Sequence, residues 1–502
     1  MILCLISCAL VFLTSKALGS TKVCHSSYVN PIIGTTGVGY GSGQMSPAAQ
    51  LPFGALRLGP DTTTGRQDIE FRHCSGYNHN DTTIRAFSHT RLVGAGLDDL
   101  GNFGVMPTSF DNKNEQNFFI KVKSWYSTMD KESESSSPAH YSVQLREPNV
   151  KAQMLAVSEY AGLHKYEWLS PQDDSRKGRG LVINVCHGAT ETLSDNADSC
   201  KEAQISFNQN NNYFNASLVF RGSLSGRESG LPMFITGVLS VVSVGMNTTD
   251  NNGSSRLKVP FVANRISCTD VNCKSNSNEA FVSSSTGVLY SHLNIHKTGA
   301  LTIELSVAIS FVSQDQAIVN FVDAFKISPL EMSRLSTLAT SFSKHSEFSK
   351  ASEASWCDAL STLTVKKATD TAGNPDNDFL TLFYSSLYRS LLSPTKYSEV
   401  GGSYRGQDNL IHNVAEQSST EADFGVMSHQ HFSDLSFWDT ARTQNPWLFL
   451  TRKDVAIGML RSIATMTKQR GLFPVWPLSS VETGCMIGFH GVATVAEAIL
   501  AG

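Results

Sequence analysis

The residues best equipped for chemistry gather between Asp434 and His490. Ser436-Phe437-Trp438-Asp439-Thr440-Ala441-Arg442 comes first, then Phe473-Pro474-Val475-Trp476-Pro477. Glu482-Thr483-Gly484-Cys485-Met486-Ile487-Gly488-Phe489-His490 closes the stretch. Two tryptophans, two carboxylates, an arginine and a histidine in these three strings suit a sugar. The C–H face of a pyranose packs on an aromatic plane, while its hydroxyls bond to Asp and Arg. The same residues also fit a plainer role, a buried tryptophan beside a structural Asp–Arg pair, because structural ion pairs populate clefts too. Trp438 and Trp476 are therefore platform or core, Glu482 is cleft or surface, and His490 is a ligand group or a satisfied core histidine.

Further strings lie upstream: Val29-Asn30-Pro31-Ile32-Ile33-Gly34-Thr35, Pro52-Phe53-Gly54, Gly76-Tyr77 and Phe87-Ser88-His89-Thr90-Arg91-Leu92-Val93-Gly94-Ala95-Gly96. Tyr404-Arg405-Gly406-Gln407-Asp408 leads into the WDT block. In this order the set resembles glycoside hydrolase family 92, the α-mannosidases, from about Tyr28 to the last residue. The resemblance implies a β-sandwich followed by an (α/α) barrel, calcium dependence and inverting exo-hydrolysis of α-mannosides. By match, Asp439 and Arg442 hold mannose hydroxyls in the terminal subsite and Trp438 packs beneath them. Trp476, Glu482 and His490 line the same cleft, and His89, Asp98 and Asp99 come to it from a sandwich loop. Arg405 and Asp408 read as a structural pair. Arg91 and Asn445 stand where the family commonly has histidine, and both are expected to alter leaving-group recognition.

An inverting glycosidase needs a general acid for the leaving oxygen and a general base for water. The resemblance places both, with most calcium ligands, beyond Gly502. No catalytic residue or metal ligand is assigned on this reading, and the chain as given is expected to be inactive. Val492, Val495, Ala496, Ile499 and Leu500 form an apolar stripe that calls for a covering element. The expected substrate is mannose of N-glycans in glycoprotein catabolism. The alternatives are a peptide N-glycanase-type hydrolase, although no Cys-His-Asp triad is evident around the cysteines, and a non-catalytic carbohydrate-binding protein.

These residues need a large scaffold, and 502 residues favour two or more domains. With 41% hydrophobic and 17% charged residues the chain is globular, and a net charge of −4 without a basic block argues against a nucleic-acid partner. Residues 1–20 read as a signal peptide, because the apolar run is short and Ala17-Leu18-Gly19 gives a cleavage pattern; the missing basic n-region leaves a signal anchor as the alternative. No later stretch reads as a membrane span, so the expected route is secretion or the lysosome. Among the cysteines, Cys186 with Cys200 and Cys268 with Cys273 are the expected disulfides. Asn80, Asn215, Asn247 and Asn252 begin glycosylation sequons.

The fold class expected is α+β and multidomain: an antiparallel β-sandwich over 21–325, then part of an (α/α) barrel over 326–502. Leu181–Cys186, Phe234–Val244 and Leu301–Val312 are the clearest strands, the last alternating as Leu301, Ile303, Leu305, Val307 and Ile309. Helix starts are expected at Ser328-Pro329, Asn374-Pro375 and Asp454, with Gly471 stopping the last. The sandwich is expected to fold alone.

Overall fold

The computed structural model describes residues 24–37, 44–64, 72–111, 122–169, 177–189, 200–208, 213–222, 230–244, 262–268, 274–275, 279–282, 289–295, 300–327, 345–370, 372–417 and 430–501. The signal segment, the Ser328-Pro329 helix start, Cys273, Asn247 and Asn252 lie outside them, as does the Cys268 side chain.

The N-terminal half is antiparallel β-structure in two layers. One layer runs from Ser127–Ser137 through His140–Leu145, Val150–Ala156, Ala161–Trp168, Ala300–Ser310, Leu231–Val244 and Tyr213–Phe220 to Cys200–Asn208. The other runs from Arg57–Thr63 through Thr83–Ser88, Gly104–Asp111, Lys177–Asn184 and Leu289–Ile295 to Val262–Cys268. Aromatic rings meet between the layers: Phe87 lies 6.1 Å from Tyr166 and 6.5 Å from Tyr141, and Phe103 stacks on Phe214 at 5.8 Å. The expected alternation in Ala300–Ser310 holds, with all five apolar residues buried. The Glu304, Ser306 and Ala308 positions are buried as well, and the Gln314–Phe325 helix packs on this strand.

That helix starts well before the expected domain boundary at 326. Ser313 caps it by accepting the Gln316 N–H, and Lys326 ends it in the left-handed region. The Asn374-Pro375 expectation shifts by two residues: Asp376 caps Asn377–Ser390 by accepting the Phe379 N–H. Lys453–Arg470 ends at left-handed Gly471 as expected, but Arg452 holds the N-cap position and Asp454 lies in the first turn, paired with Arg452 at 3.1 Å. His345–Leu360 was not expected, because its buried face of Phe348, Ser352, Trp356 and Ala359 is broken by a serine. Ser352 pays for its burial by donating to the Ala156 carbonyl at 2.6 Å.

The two halves are joined by specific bonds rather than by contact alone. The Trp356 indole donates to the Gln50 carbonyl at 2.7 Å, and Gln50 donates to the Tyr388 hydroxyl at 3.0 Å. Arg57 of the sandwich reaches the Leu392 carbonyl at 3.0 Å and the Thr395 hydroxyl at 2.6 Å. Buried Glu399 accepts from the Phe311 N–H and from Asn320, each at 2.7 Å. Arg405 staples its loop to the Phe311 and Val312 carbonyls, at 3.0 and 3.1 Å, instead of pairing with Asp408. Asp408 pairs with His412 at 2.9 Å. The first described residues sit on the helical half: His25 stacks on Tyr384 at 4.4 Å, and the Asn30 N–H meets the Ser385 hydroxyl at 2.9 Å. An autonomous sandwich, as expected from sequence, would lose the helical-half partners of Gln50, Arg57, Phe311 and Val312.

The disulfides are Cys186–Cys200, as expected, and Cys24–Cys357, which was not. Cys485, half-buried, is a free thiol. Cys24–Cys357 closes a separation of 333 residues, and long loops lose the most unfolded-state entropy on closure. Replacing Cys24 with Ser is expected to lower unfolding free energy by roughly 2–4 kcal/mol. Denaturant titration of both proteins checks this, with the Cys186→Ser variant as the short-loop comparison.

Candidate active site

The WDT block forms a single helical turn, Phe437–Thr440. Phe437 is fully buried and anchors it, whereas Trp438 is 41% exposed and Asp439 faces outward. The core reading of Trp438 is thus overturned. The turn is fixed from behind, where the Leu435 N–H donates to the Pro477 carbonyl at 3.0 Å. The chain then leaves the helix, so Asp439 and Arg442 do not form the pair that helical spacing suggests. Exposed Arg442 donates to the Trp438 carbonyl at 3.4 Å and keeps its remaining donors for other partners.

Trp476 lies beneath this turn and is buried. Its indole N–H has no partner of normal hydrogen-bond geometry, yet lies close enough to Asp439 to favour the charged carboxylate. Partial burial outweighs that effect and holds the Asp439 carboxyl above its ordinary range. Trp476 is therefore a floor under the aspartate, not an exposed platform.

Glu482 is neither a cleft acid nor a solvated surface acid. Its side chain is 3% exposed and accepts three backbone N–H groups: Val475 at 2.8 Å, Trp476 at 2.9 Å and Gly484 at 2.9 Å. Arg470 adds an ion pair at 3.6 Å. One carboxylate thus ties the Trp476 loop to the segment that follows it. That segment bends through left-handed Gly484, Met486 and Gly488 and exposes Ile487 and Phe489. Half-buried His490 opens the His490–Ala501 helix, which packs against the WDT turn. Asn445 fixes this helix to Gln444–Thr451 by donating to the Thr494 hydroxyl at 3.1 Å. Asn445 is buried, so it acts on packing rather than on a leaving group.

The residues expected from the sandwich loop do not share one environment. His89 is fully buried, donating from Nδ1 to the Phe103 carbonyl at 2.6 Å and facing His164 at 2.9 Å through Nε2. Asp99 is fully buried and Asp98 half-buried. Arg91 is fully buried; it meets Asp61 at 3.3 Å and donates to carbonyls of Gly59, Pro60 and Ser75 at 2.7 to 3.1 Å. His89, Asp99 and Arg91 thus belong to the sandwich core, and no leaving-group role falls to Arg91. Asn215 sits inside a strand, half-buried, accepting from Tyr213, Thr236 and Gln314 at 2.7 to 3.1 Å. That setting opposes glycosylation there, whereas Asn80 is exposed at a turn.

Three residues escaped sequence reading: Asp434, Ser479 and Ser480, which fasten the WDT turn to the Trp476 hairpin. Calcium finds no group of converging carboxylates among the described residues. The one cluster of metal-type side chains there, Cys24, Glu353 and Cys357, has its two thiols joined in a disulfide, and sulfur does not suit calcium.

The glycosyl hydrolase family 92 N-terminal domain matches residues 28–310, and the family's catalytic domain matches residues 336–502. The chain belongs to glycosyl hydrolase family 92. The catalytic-domain match overturns the expectation that the chain stops ahead of the family's catalytic segment, and the expected inactivity loses its ground with it. A family 92 α-mannosidase from Bacteroides thetaiotaomicron superposes with a TM-score of 0.69 at 22% identity, covering 95% of this chain and 54% of its own. A family 92 inverting mannosidase of the same species gives 0.66 at 19% identity, over 97% and 53%. An uncharacterized secreted glycosidase of Arthroderma benhamiae is 22% identical over 74% of this chain and 42% of its own. The chain thus spans about half the length of these relatives. The likeness fixes the fold as a β-sandwich followed by a helical domain. No helix among the described residues is long and apolar enough to cross a membrane.

Proposed function

We propose that this family 92 protein is an exo-acting α-mannosidase of N-glycan breakdown, and that the turn Trp438–Arg442 holds the terminal mannose. The observation that carries the reading is the exposure, on one turn, of an indole face, a carboxylate and a guanidinium with free donors. The indole packs on sugar C–H groups, Asp439 accepts from adjacent hydroxyls and Arg442 donates to them. Of the similar solved structures, one is described as an inverting mannosidase and one as a complex with mannoimidazole, which supports both chemistry and ligand class. The general acid and base remain unassigned to residues of this chain. Calcium dependence enters from the family resemblance alone, so no step is routed through the ion. Secretion is supported by the N-terminal apolar segment and by the name of the fungal relative. The buried His89 and His431, both lowered by burial, disfavour an acidic lysosome.

The test is hydrolysis of an aryl α-mannoside by the purified protein, with the product anomer followed by NMR. Release of β-mannose, lost on chelation and restored by calcium, supports the full reading. Retained anomeric configuration overturns inversion, and activity indifferent to chelator overturns calcium dependence. Turnover of other glycosides in preference to mannosides overturns the substrate class.

A further inference from the structure

We infer that Ser433 and Asp434 form a clip that sets the position of the sugar-holding turn against the Trp476 hairpin, making Asp434 a positioning residue. The inference rests on the mannose-holding reading above and deepens it. Strands Pro477–Leu478 and Val481–Glu482 are joined by only two residues, Ser479 and Ser480. Both are left-handed, with φ of 45° and 64°, and both are fully buried. A two-residue hairpin with two positive φ values normally takes Asn-Gly or Asp-Gly, because residues with larger Cβ contacts resist that region. Two serines need outside support to stay there.

The support comes from two adjacent residues on the other arm of the site. Asp434 Oδ1 accepts the Ser479 N–H at 2.8 Å, and Ser433 Oγ accepts the Ser480 N–H at 3.1 Å. Asp434 is itself left-handed, with φ of 58°, and 8% exposed, and its carbonyl accepts from Ser393 at 3.1 Å. Five residues on is Asp439, and three residues before Ser479 is Trp476, the floor of the site. The clip therefore fixes the height of the exposed turn above its floor. A loose clip lets Asp439 and Arg442 move relative to the hydroxyls they hold, and small misplacements of this kind weaken recognition strongly.

The test measures the affinity of methyl α-mannoside for the full chain and, separately, amide hydrogen exchange at Ser479 and Ser480. Asp434→Ala is expected to speed exchange at Ser479 and to weaken binding at least tenfold. Asp434→Asn keeps a carbonyl acceptor and is expected to stay within about threefold of the wild type. Adding Ser479→Gly to Asp434→Ala puts a residue at ease with positive φ where the support is lost, and is expected to recover part of the affinity. Should Asp434→Ala fail to fold, Ser433→Ala opens the second contact, and weakened binding in it supports the clip. Unchanged affinity in the folded clip variants overturns the proposal. Asp439→Asn separates the two readings. If it loses affinity while Asp434→Ala keeps it, the clip alone is wrong; if both keep it, the mannose-holding reading falls and the clip's role with it.

Discussion

Replacing Asp439 with Asn is expected to lower kcat/KM for a mannoside at least about tenfold, with Tm nearly unchanged. The reasoning starts from what the carboxylate touches. Asp439 faces outward and makes no ion pair with Arg442; its protein neighbour is the Trp476 indole beneath it. Folding therefore draws little on its charge. A sugar hydroxyl, by contrast, is a donor that an ionised carboxylate accepts strongly. Losing a hydrogen bond to a charged group costs roughly 1.5–3 kcal/mol, and each ~1.4 kcal/mol is one decade in rate or affinity. Asn keeps the shape and one acceptor but removes the charge. Kinetics and thermal melts on one preparation check this. A large fall in Tm with normal kinetics would return Asp439 to a structural role.

Acidification from pH 6.5 to 4 is expected to destabilise the protein by several kcal/mol, measured as unfolding free energy against pH. His89 and His431 are fully buried, and burial pulls their pKa values down to about 4 and about 3. In the unfolded chain each titrates near 6.5, so between about 6.5 and the folded value the unfolded state binds a proton that the folded state refuses. Stability is thus present above 6.5 and lost as the pH falls. One unit corresponds to about 1.4 kcal/mol, which makes His89 alone worth roughly 3 kcal/mol over its window.

Geometry supports the sign. The Phe103 carbonyl only accepts, so His89 carries its proton on Nδ1, and Nε2 must accept from His164. His164 Nδ1 then accepts from the Tyr166 hydroxyl at 2.8 Å. The chain is fully ordered with both rings neutral, and a further proton at the His89–His164 contact would break it. Glu399 works in the opposite direction. Burial raises it to about 7, so it contributes stability below an unfolded pKa near 4.5 that is lost as the pH rises through 7. Two fully buried histidines outweigh one glutamate, and His164 and His187, also lowered by burial, add to the same side. The Glu399→Gln variant is expected to show a steeper acid loss than the wild type. A protein as stable at pH 4.5 as at pH 7 would contradict the burial argument and reopen a lysosomal setting.

Local order was legible in the sequence where one face and one period decide it. The Ala300–Ser310 strand shows its apolar alternation, Asn377–Ser390 shows its stripe, and Cys186 and Cys200 are near enough in sequence to suggest their bond. Long-range partners were not. Cys24 and Cys357 are separated by 333 residues, and no spacing rule joins them. Motif strings also hide which way a side chain faces. His89 and Trp438 both sit in family-like strings, yet one is sealed in the sandwich and the other is 41% exposed. Ser479-Ser480 carries no turn signal of its own, since its left-handed conformation is held by acceptors lying 45 and 47 residues earlier. Glu482 reads as either a cleft or a surface acid from sequence, because its three backbone donors carry no sequence signature at all.

The most direct measurement of the central claim is a tryptophan-fluorescence titration with mannoimidazole, run on the wild type and on Trp438→Phe. Trp438 is exposed on the sugar-holding turn, whereas Trp356 and Trp476 are buried. A sugar mimic seated on that turn covers the Trp438 indole, so the predicted result is a saturable emission change that disappears in Trp438→Phe, with calorimetry showing weakened binding. Saturable binding by calorimetry with Trp438 emission unmoved, or with unchanged affinity in Trp438→Phe, would contradict the placement of mannose on this turn.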